Sequence, residues 1–221
     1  MVWIIVPAYN EGQVIGVVLS ELCAQFQNVV VVDDCSLDNT SDEARRFPVH
    51  FLSHPINLGQ GAALQTGISY ALKNGADRIV TFDSDGQHSV SDIPRLVQPL
   101  DRFDVVLGSR FLEGGLAEKL PSMRRVMLKC ATWYTRFSTG LRVTDTHNGL
   151  RAFSKKAAQK IVITQNRMAH ASQILQLIAL NKLSYTEVPV TIKYTDYSLA
   201  KGQKISNSFN ILWDSFAEMF R

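Results

Sequence analysis

Cysteine is scarce in this chain: three residues in 221, at positions 23, 35 and 130. Their odd number and wide spacing offer neither a disulfide framework nor a metal-ligand pattern, so reduced, structural thiols in the cytosol are expected. No apolar run approaches the roughly 18 residues needed to span a bilayer. The opening Met1-Val2-Trp3-Ile4-Ile5-Val6-Pro7 has neither the basic region nor the long apolar core of a secretion signal. Any membrane contact is therefore expected to be peripheral. Internal repeats, low-complexity tracts and a convincing linker are also missing. Charged residues make up only 19% and hydrophobic ones 46%, a globular rather than a disordered composition. The glycines at 59 and 61 leave a dinucleotide fingerprint unfinished, because its third glycine position is Leu64. Classical NAD binding is therefore not expected, nor is a nucleic-acid partner.

What is present is unevenly distributed. Residues 1–100 carry 5 Lys+Arg against 11 Asp+Glu, net −6, and residues 101–221 carry 18 against 9, net +9. An acidic half suited to a metal thus precedes a basic half suited to phosphates or an anionic surface. Apolar runs at 2–6, 29–32, 49–52 and 79–82 alternate with helical spacing at 13–26 and in the stretch that ends near Asn74-Gly75. That order predicts a doubly wound α/β domain with a mostly parallel sheet and helices on both faces. Further strands are expected over 103–111 and 185–190, the latter near an edge because it contains Pro189. Helices are expected over 120–137, basic and amphipathic, and over 168–181. The tail from 206 to 220 is also amphipathic.

In such sheets ligands bind outside the carboxyl ends of the strands. Here those ends carry Pro7-Ala8-Tyr9, Asp33-Asp34 and Asp83-Ser84-Asp85. In an extended strand residues i and i+2 point the same way, so Asp83 and Asp85 can meet one ligand, with Gly86 turning the chain away. Two hard oxygen donors suit Mg²⁺ or Mn²⁺ with positions left open for a phosphate-bearing substrate. Asp-Ser-Asp-Gly is equally good turn chemistry, so the pair alone leaves a solvated turn open.

Four landmarks, Val6-Pro7-Ala8-Tyr9-Asn10-Glu11, Val32-Asp33-Asp34-Cys35-Ser36, Asp83-Ser84-Asp85 with Gln87-His88, and Gly108-Ser109-Arg110-Phe111, occur in one order. Together they resemble family-2 glycosyltransferases of the GT-A fold, nearest the dolichol-phosphate mannosyltransferase-like branch. The resemblance implies one GT-A domain, with residues 1–110 serving nucleotide-sugar and metal and residues 111–221 facing acceptor and membrane. It implies substrate contacts from Pro7, Ala8, Tyr9, Glu11, Asp33, Asp34, Gly61, Asp83, Ser84, Gln87 and His88. Tyr9 would lie against the base and Asp33 accept from a base N–H. Asp83 and Asp85 would hold Mg²⁺ or Mn²⁺. Asp85, Arg110, Asp145 and Arg151 are the residues assigned to catalysis, the two arginines as phosphate clamps.

Two departures qualify it. Cys35 stands where relatives commonly have glycine, and Gln173 where many have an acidic residue; glutamine cannot act as a general base. A phosphate acceptor is ionised near pH 7 and needs no base, which favours a polyprenyl phosphate. The implied activity is an inverting transfer from a nucleotide sugar at the cytoplasmic membrane face. A hydroxyl acceptor, a nucleotide-sugar-binding protein with little turnover, and a nucleotidyltransferase are the alternatives. The last should place a basic glycine-rich loop after the first strand, where this chain has Tyr9-Asn10-Glu11.

Overall fold

The computed structural model describes residues 1–118, 120–167 and 169–194; the amphipathic tail expected over 206–220 lies outside them. In chain order the first half runs β1 (Val2–Ala8), α1 (Ile15–Cys23), β2 (Val29–Asp33), α2 (Thr40–Ala44), β3 (His50–Ser53), α3 (Gln60–Lys73), β4 (Arg78–Thr81) and α4 (Ile93–Val97). It continues with β5 (Val105–Ser109), β6 (Leu116–Glu118), α5 (Ser122–Thr139), β7 (Arg151–Ser154), α6 (Lys155–Lys160), α7 (His170–Leu180), β8 (Tyr185–Pro189) and β9 (Thr191–Lys193). Seven strands form one sheet in the order β3-β2-β1-β4-β7-β5-β8, and β6 and β9 form a separate parallel pair.

The sheet is mostly parallel, as the βα alternation requires, but β7 runs antiparallel between β4 and β5. A strand from the second half thus completes the sheet of the first, and residues of both halves enter the core on each face. Among the described residues β8 pairs only with β5, at the outer edge of the sheet, where Pro189 needs no ladder donor.

Period-2 geometry sorts β1 onto two cores. Trp3 and Ile5 face a cluster with Ala63, Leu64 and Ile68 of α3 and Ile174, Leu175 and Ile178 of α7. Ile4, Val6 and Ala8 face the opposite cluster, with Ile15, Leu19 and Leu22 of α1 and Ile93 and Leu96 of α4. Each fully buried Val, Ile or Leu contributes about 1.5–3 kcal/mol. Burial on both faces is why β1 and β2 read as continuous apolar runs rather than alternating ones.

α5 does not follow the usual amphipathic arrangement. Its inward face is small, with Ala131, Thr132 and Thr135 buried, while Met123, Val126, Trp133 and Phe137 stand exposed. Apolar spacing alone cannot say which side of a helix meets the core, and here the larger apolar stripe faces out. No helix among the described residues is long and apolar enough to cross a membrane.

Candidate active site

Because β1 pairs with β2 on one side and β4 on the other, their carboxyl ends lie side by side. Backbone and side-chain bonds lock the three ends together. Asp34 N donates to Ala8 O (2.9 Å), Phe82 N to Ile5 O (2.9 Å), and the buried Ser84 hydroxyl to Pro7 O (2.8 Å). The loop after β1 is pinned to the loop after β2. Asn10 N donates to Ser36 Oγ (2.9 Å), Leu37 N to Asn10 Oδ1 (2.8 Å) and Glu11 N to Thr40 Oγ1 (2.7 Å). Pro7, Ala8, Tyr9 and Glu11 therefore come to the same edge as the aspartates, with Tyr9 exposed and Glu11 buried.

The expected strand through Asp83 and Asp85 ends earlier, at Thr81. Residues 84–86 turn, with Gly86 at φ +75°, so the two carboxylates are brought together by a turn rather than by strand alternation. Asp83 Oδ1 accepts from Gln60 Nε2 (2.8 Å), and its Oδ2 meets His88 Nε2 (3.0 Å). Burial works to raise the Asp83 pKa, but the hydrogen bond and charge of His88, with His170 and Arg151 behind it, hold it below the usual carboxylate range. Asp85 is pushed up to about 6, by burial first and by the neighbouring Asp83 charge second. Gln87 N donates to Asp85 Oδ1 (3.0 Å), and Gln87 O receives Lys193 N (2.9 Å), tying the turn to β9. Burial and mutual repulsion of two carboxylates in one turn are the electrostatics of a cation site.

The Asp-Asp pair after β2 divides its work. Asp33 Oδ1 accepts from Ser36 N (3.3 Å) and the Ser36 hydroxyl, and Oδ2 from Ser41 Oγ (2.7 Å). Asp34 accepts from Leu58 N (2.9 Å) and Gly59 N (2.6 Å) and pairs with His54 Nδ1 (2.7 Å), so it fixes the glycine loop at the start of α3. Gly61 serves close packing at that loop. A Cβ there would stand 2.0 Å from Gln165 O.

Arg110, Asp145 and Arg151 are brought near one another but deep in the fold. Arg110 Nε donates to Asp145 Oδ2 (2.6 Å), and its NH2 group to Asp145 Oδ1 (3.3 Å) and His147 O (3.2 Å). Its NH1 group donates to the Tyr194 hydroxyl. Arg151 donates to Asn148 O (2.9 Å), Thr146 O (3.0 Å) and Ala171 O (3.3 Å), joining the 146–148 loop to α7. At 7% and 4% exposure both guanidinium-bearing residues are buried, and Arg151 also lines the cavity beside Asp83.

Several neighbours of Asp83 were passed over in sequence. Gln60, Thr81, Asn148 and His170 line a cavity with it, together with Leu64, Ile174 and the arginine already assigned from the sequence, Arg151. Gly149 is where the backbone closes on this carboxylate: a Cβ there would stand 2.1 Å from Asp83 Oδ2. The glycines at 59, 61 and 149 were the available signal, since they mark close backbone approaches, but a glycine does not say to what. Gln173 is explained. Its Oε1 accepts Thr164 N and Gln165 N (2.9 Å each) and its Nε2 donates to Thr164 Oγ1 (2.5 Å), so it shapes a loop.

A mostly parallel sheet whose carboxyl edge gathers the Tyr9 loop, an Asp-Asp pair and an acidic turn defines a GT-A glycosyltransferase. The chain belongs to glycosyltransferase family 2, whose family model matches residues 3–162. It is 34% identical over 235 residues to a UDP-N-acetylglucosamine–dolichyl-phosphate N-acetylglucosaminyltransferase of Methanococcus voltae, covering 96% of this chain and 94% of that one. It is 30% identical over 211 residues to a polyprenol monophosphomannose synthase of Mycolicibacterium smegmatis, covering 90% and 79%. Its fold superposes on glucosyl-3-phosphoglycerate synthase of Mycobacterium tuberculosis, solved with Mn²⁺ and UDP-glucose. The TM-score is 0.74 at 17% identity, over 99% of this chain and 77% of that one. The protein is thus a glycosyltransferase.

Proposed function

We propose that this glycosyltransferase is inverting and metal-dependent, and that its acceptor is a polyprenyl phosphate reached from the cytoplasmic side of a membrane. The observation that carries the reading is the Asp83–Asp85 turn, where burial and the Asp83 charge push the Asp85 pKa up to about 6. A divalent cation relieves that repulsion. Among the described residues no group of three or more His, Cys, Asp or Glu side chains is placed to hold a metal. Two carboxylates fit an ion that takes its remaining ligands from the donor's diphosphate and water. Bound there, Mg²⁺ or Mn²⁺ would neutralise the departing nucleotide diphosphate.

The acceptor reading rests on chemistry the chain itself lacks. Gln173 is bonded into the 164–165 loop and has no carboxylate to take a proton. A phosphate monoester arrives ionised, and its single displacement at the anomeric carbon inverts that centre. The two relatives whose names specify dolichyl and polyprenol phosphates support the same acceptor class. The outward stripe of α5, in which the Trp133 and Phe137 rings stack at 6.1 Å beside exposed Arg125, Lys129 and Arg136, suits a lipid headgroup boundary.

A thermal-shift panel of UDP- and GDP-sugars with Mn²⁺ tests the donor and metal together, since a ligand of the folded state raises the midpoint by mass action. The expected result is a shift by one donor that EDTA removes. Shifts of equal size with and without EDTA would overturn the metal-centred reading.

A further inference from the structure

We infer that Gln60 is a positioning residue of the metal centre: its side-chain amide fixes the Asp83 carboxylate for the divalent cation. The inference rests on the metal-centred reading above and goes beyond it, because Gln60 lies outside the acidic turn in both sequence and element. Its Nε2 takes one lone pair of Asp83 Oδ1 at 2.8 Å, while His88 Nε2 meets Oδ2 at 3.0 Å. One donor on each oxygen holds the plane of the carboxylate and leaves a second lone pair on each for a ligand. Gly149 closes the third side by backbone contact. Without Gln60, Oδ1 loses the donor that fixes it.

The backbone carrying Gln60 is braced to a degree that a surface glutamine does not need. Before it, Leu58 N and Gly59 N are both held by Asp34, at 2.9 and 2.6 Å. After it, Gly61 N donates to Asn166 O at 2.7 Å. Asp34 is in turn held by His54, whose Nε2 reaches Thr66 Oγ1 farther along α3 at 3.0 Å. The strand end of Asp33-Asp34 and the acidic turn after β4 are therefore joined through one side chain. Its neutral amide is the suitable head, since it donates to the carboxylate without adding a cation that would compete with the metal.

Mn²⁺ titration followed by the electron paramagnetic resonance signal of the free ion, with and without UDP, tests this on the whole chain. Gln60→Met keeps the length and removes the donor, and Gln60→Asn keeps the amide but falls short of Asp83. Both variants are expected to bind Mn²⁺ about 10- to 100-fold more weakly than wild type. Their metal-free melting midpoints should stay at the wild-type value, which a merely structural contact would lower. Wild-type uptake with the variants' affinity within twofold of it would overturn the role of Gln60 alone. No Mn²⁺ uptake by wild type, with or without UDP, would overturn this inference together with the metal-centred reading.

Discussion

Arg110 and Asp145 form a closed two-pronged pair, with Nε to Oδ2 at 2.6 Å and NH2 to Oδ1 at 3.3 Å. Burial disfavours the Arg110 charge, but Asp145 and Tyr194 more than compensate and its pKa is raised. The pair sits at the end of β5 and clamps the 144–148 loop that runs into β7. Two residues that the family resemblance assigns to catalysis are thus partners of each other. Removing one side leaves a buried charge unmatched, at a cost of about 3–5 kcal/mol. Asp145→Ala is therefore expected to lose that much stability in urea unfolding. An Asp145→Ala protein as stable as wild type but inactive would instead place the pair in the chemistry.

Asp85 should cost the metal-free protein stability. Its folded pKa of about 6 lies above the unfolded carboxylate value of about 3.9. The stabilisation its proton provides is complete below the unfolded value and is lost as pH rises through about 6. Asp85→Asn, which keeps the shape without the charge, is expected to gain on the order of 1–3 kcal/mol at pH 7.5 in EDTA while losing transfer activity. Denaturant curves at pH 4.5 and 7.5 check the first claim; an Asn variant less stable than wild type at both pH values contradicts it.

Cys35 occupies the left-handed region at φ +63°, so the turn after β2 does require the conformation that glycine adopts without strain. For a side chain with a Cβ that conformation costs roughly 1–2 kcal/mol. Cys35→Gly should be at least as stable as wild type and Cys35→Val less stable by about 1–2 kcal/mol, read from urea midpoints. Equal midpoints for Gly and Val would mean that the loop relaxes elsewhere.

The exposed face of α5 predicts association with anionic lipid that weakens in high salt. Trp133 and Phe137 are 71% and 77% exposed, and each basic residue near an anionic surface adds about 1 kcal/mol. Liposome flotation should carry wild type at low salt. Arg124, Arg125, Lys129 and Arg136 changed together to Gln, or Trp133 and Phe137 changed to Ser, should leave it in the soluble fraction. Wild type that stays soluble with anionic liposomes at low salt would favour a soluble acceptor.

The sequence made the sheet legible because burial on both faces leaves unbroken apolar runs such as 29–32, and parallel order follows from the helices between them. The inserted antiparallel β7 was not legible, since Arg151-Ala152-Phe153-Ser154 looks the same in either direction. Asp83 and Asp85 could be found by type and spacing, although a turn and not a strand unites them. Gln60 and Gly149 could not, because what matters is where they meet Asp83 across 23 and 66 positions of chain. Arg110 and Arg151 show the converse: their type could be read, but their burial and their partners could not.

The most direct measurement is transfer itself. Wild type, Asp83→Asn and Asp85→Asn would be incubated with radiolabelled UDP- and GDP-sugars and undecaprenyl phosphate, with Mn²⁺ or with EDTA. Proton NMR of the lipid product would give the anomeric configuration. The expected result is one glycosyl phosphopolyprenol of inverted configuration, made by wild type with Mn²⁺ and by neither variant. Product formed equally in EDTA, or label passing only to a hydroxyl acceptor, would contradict it.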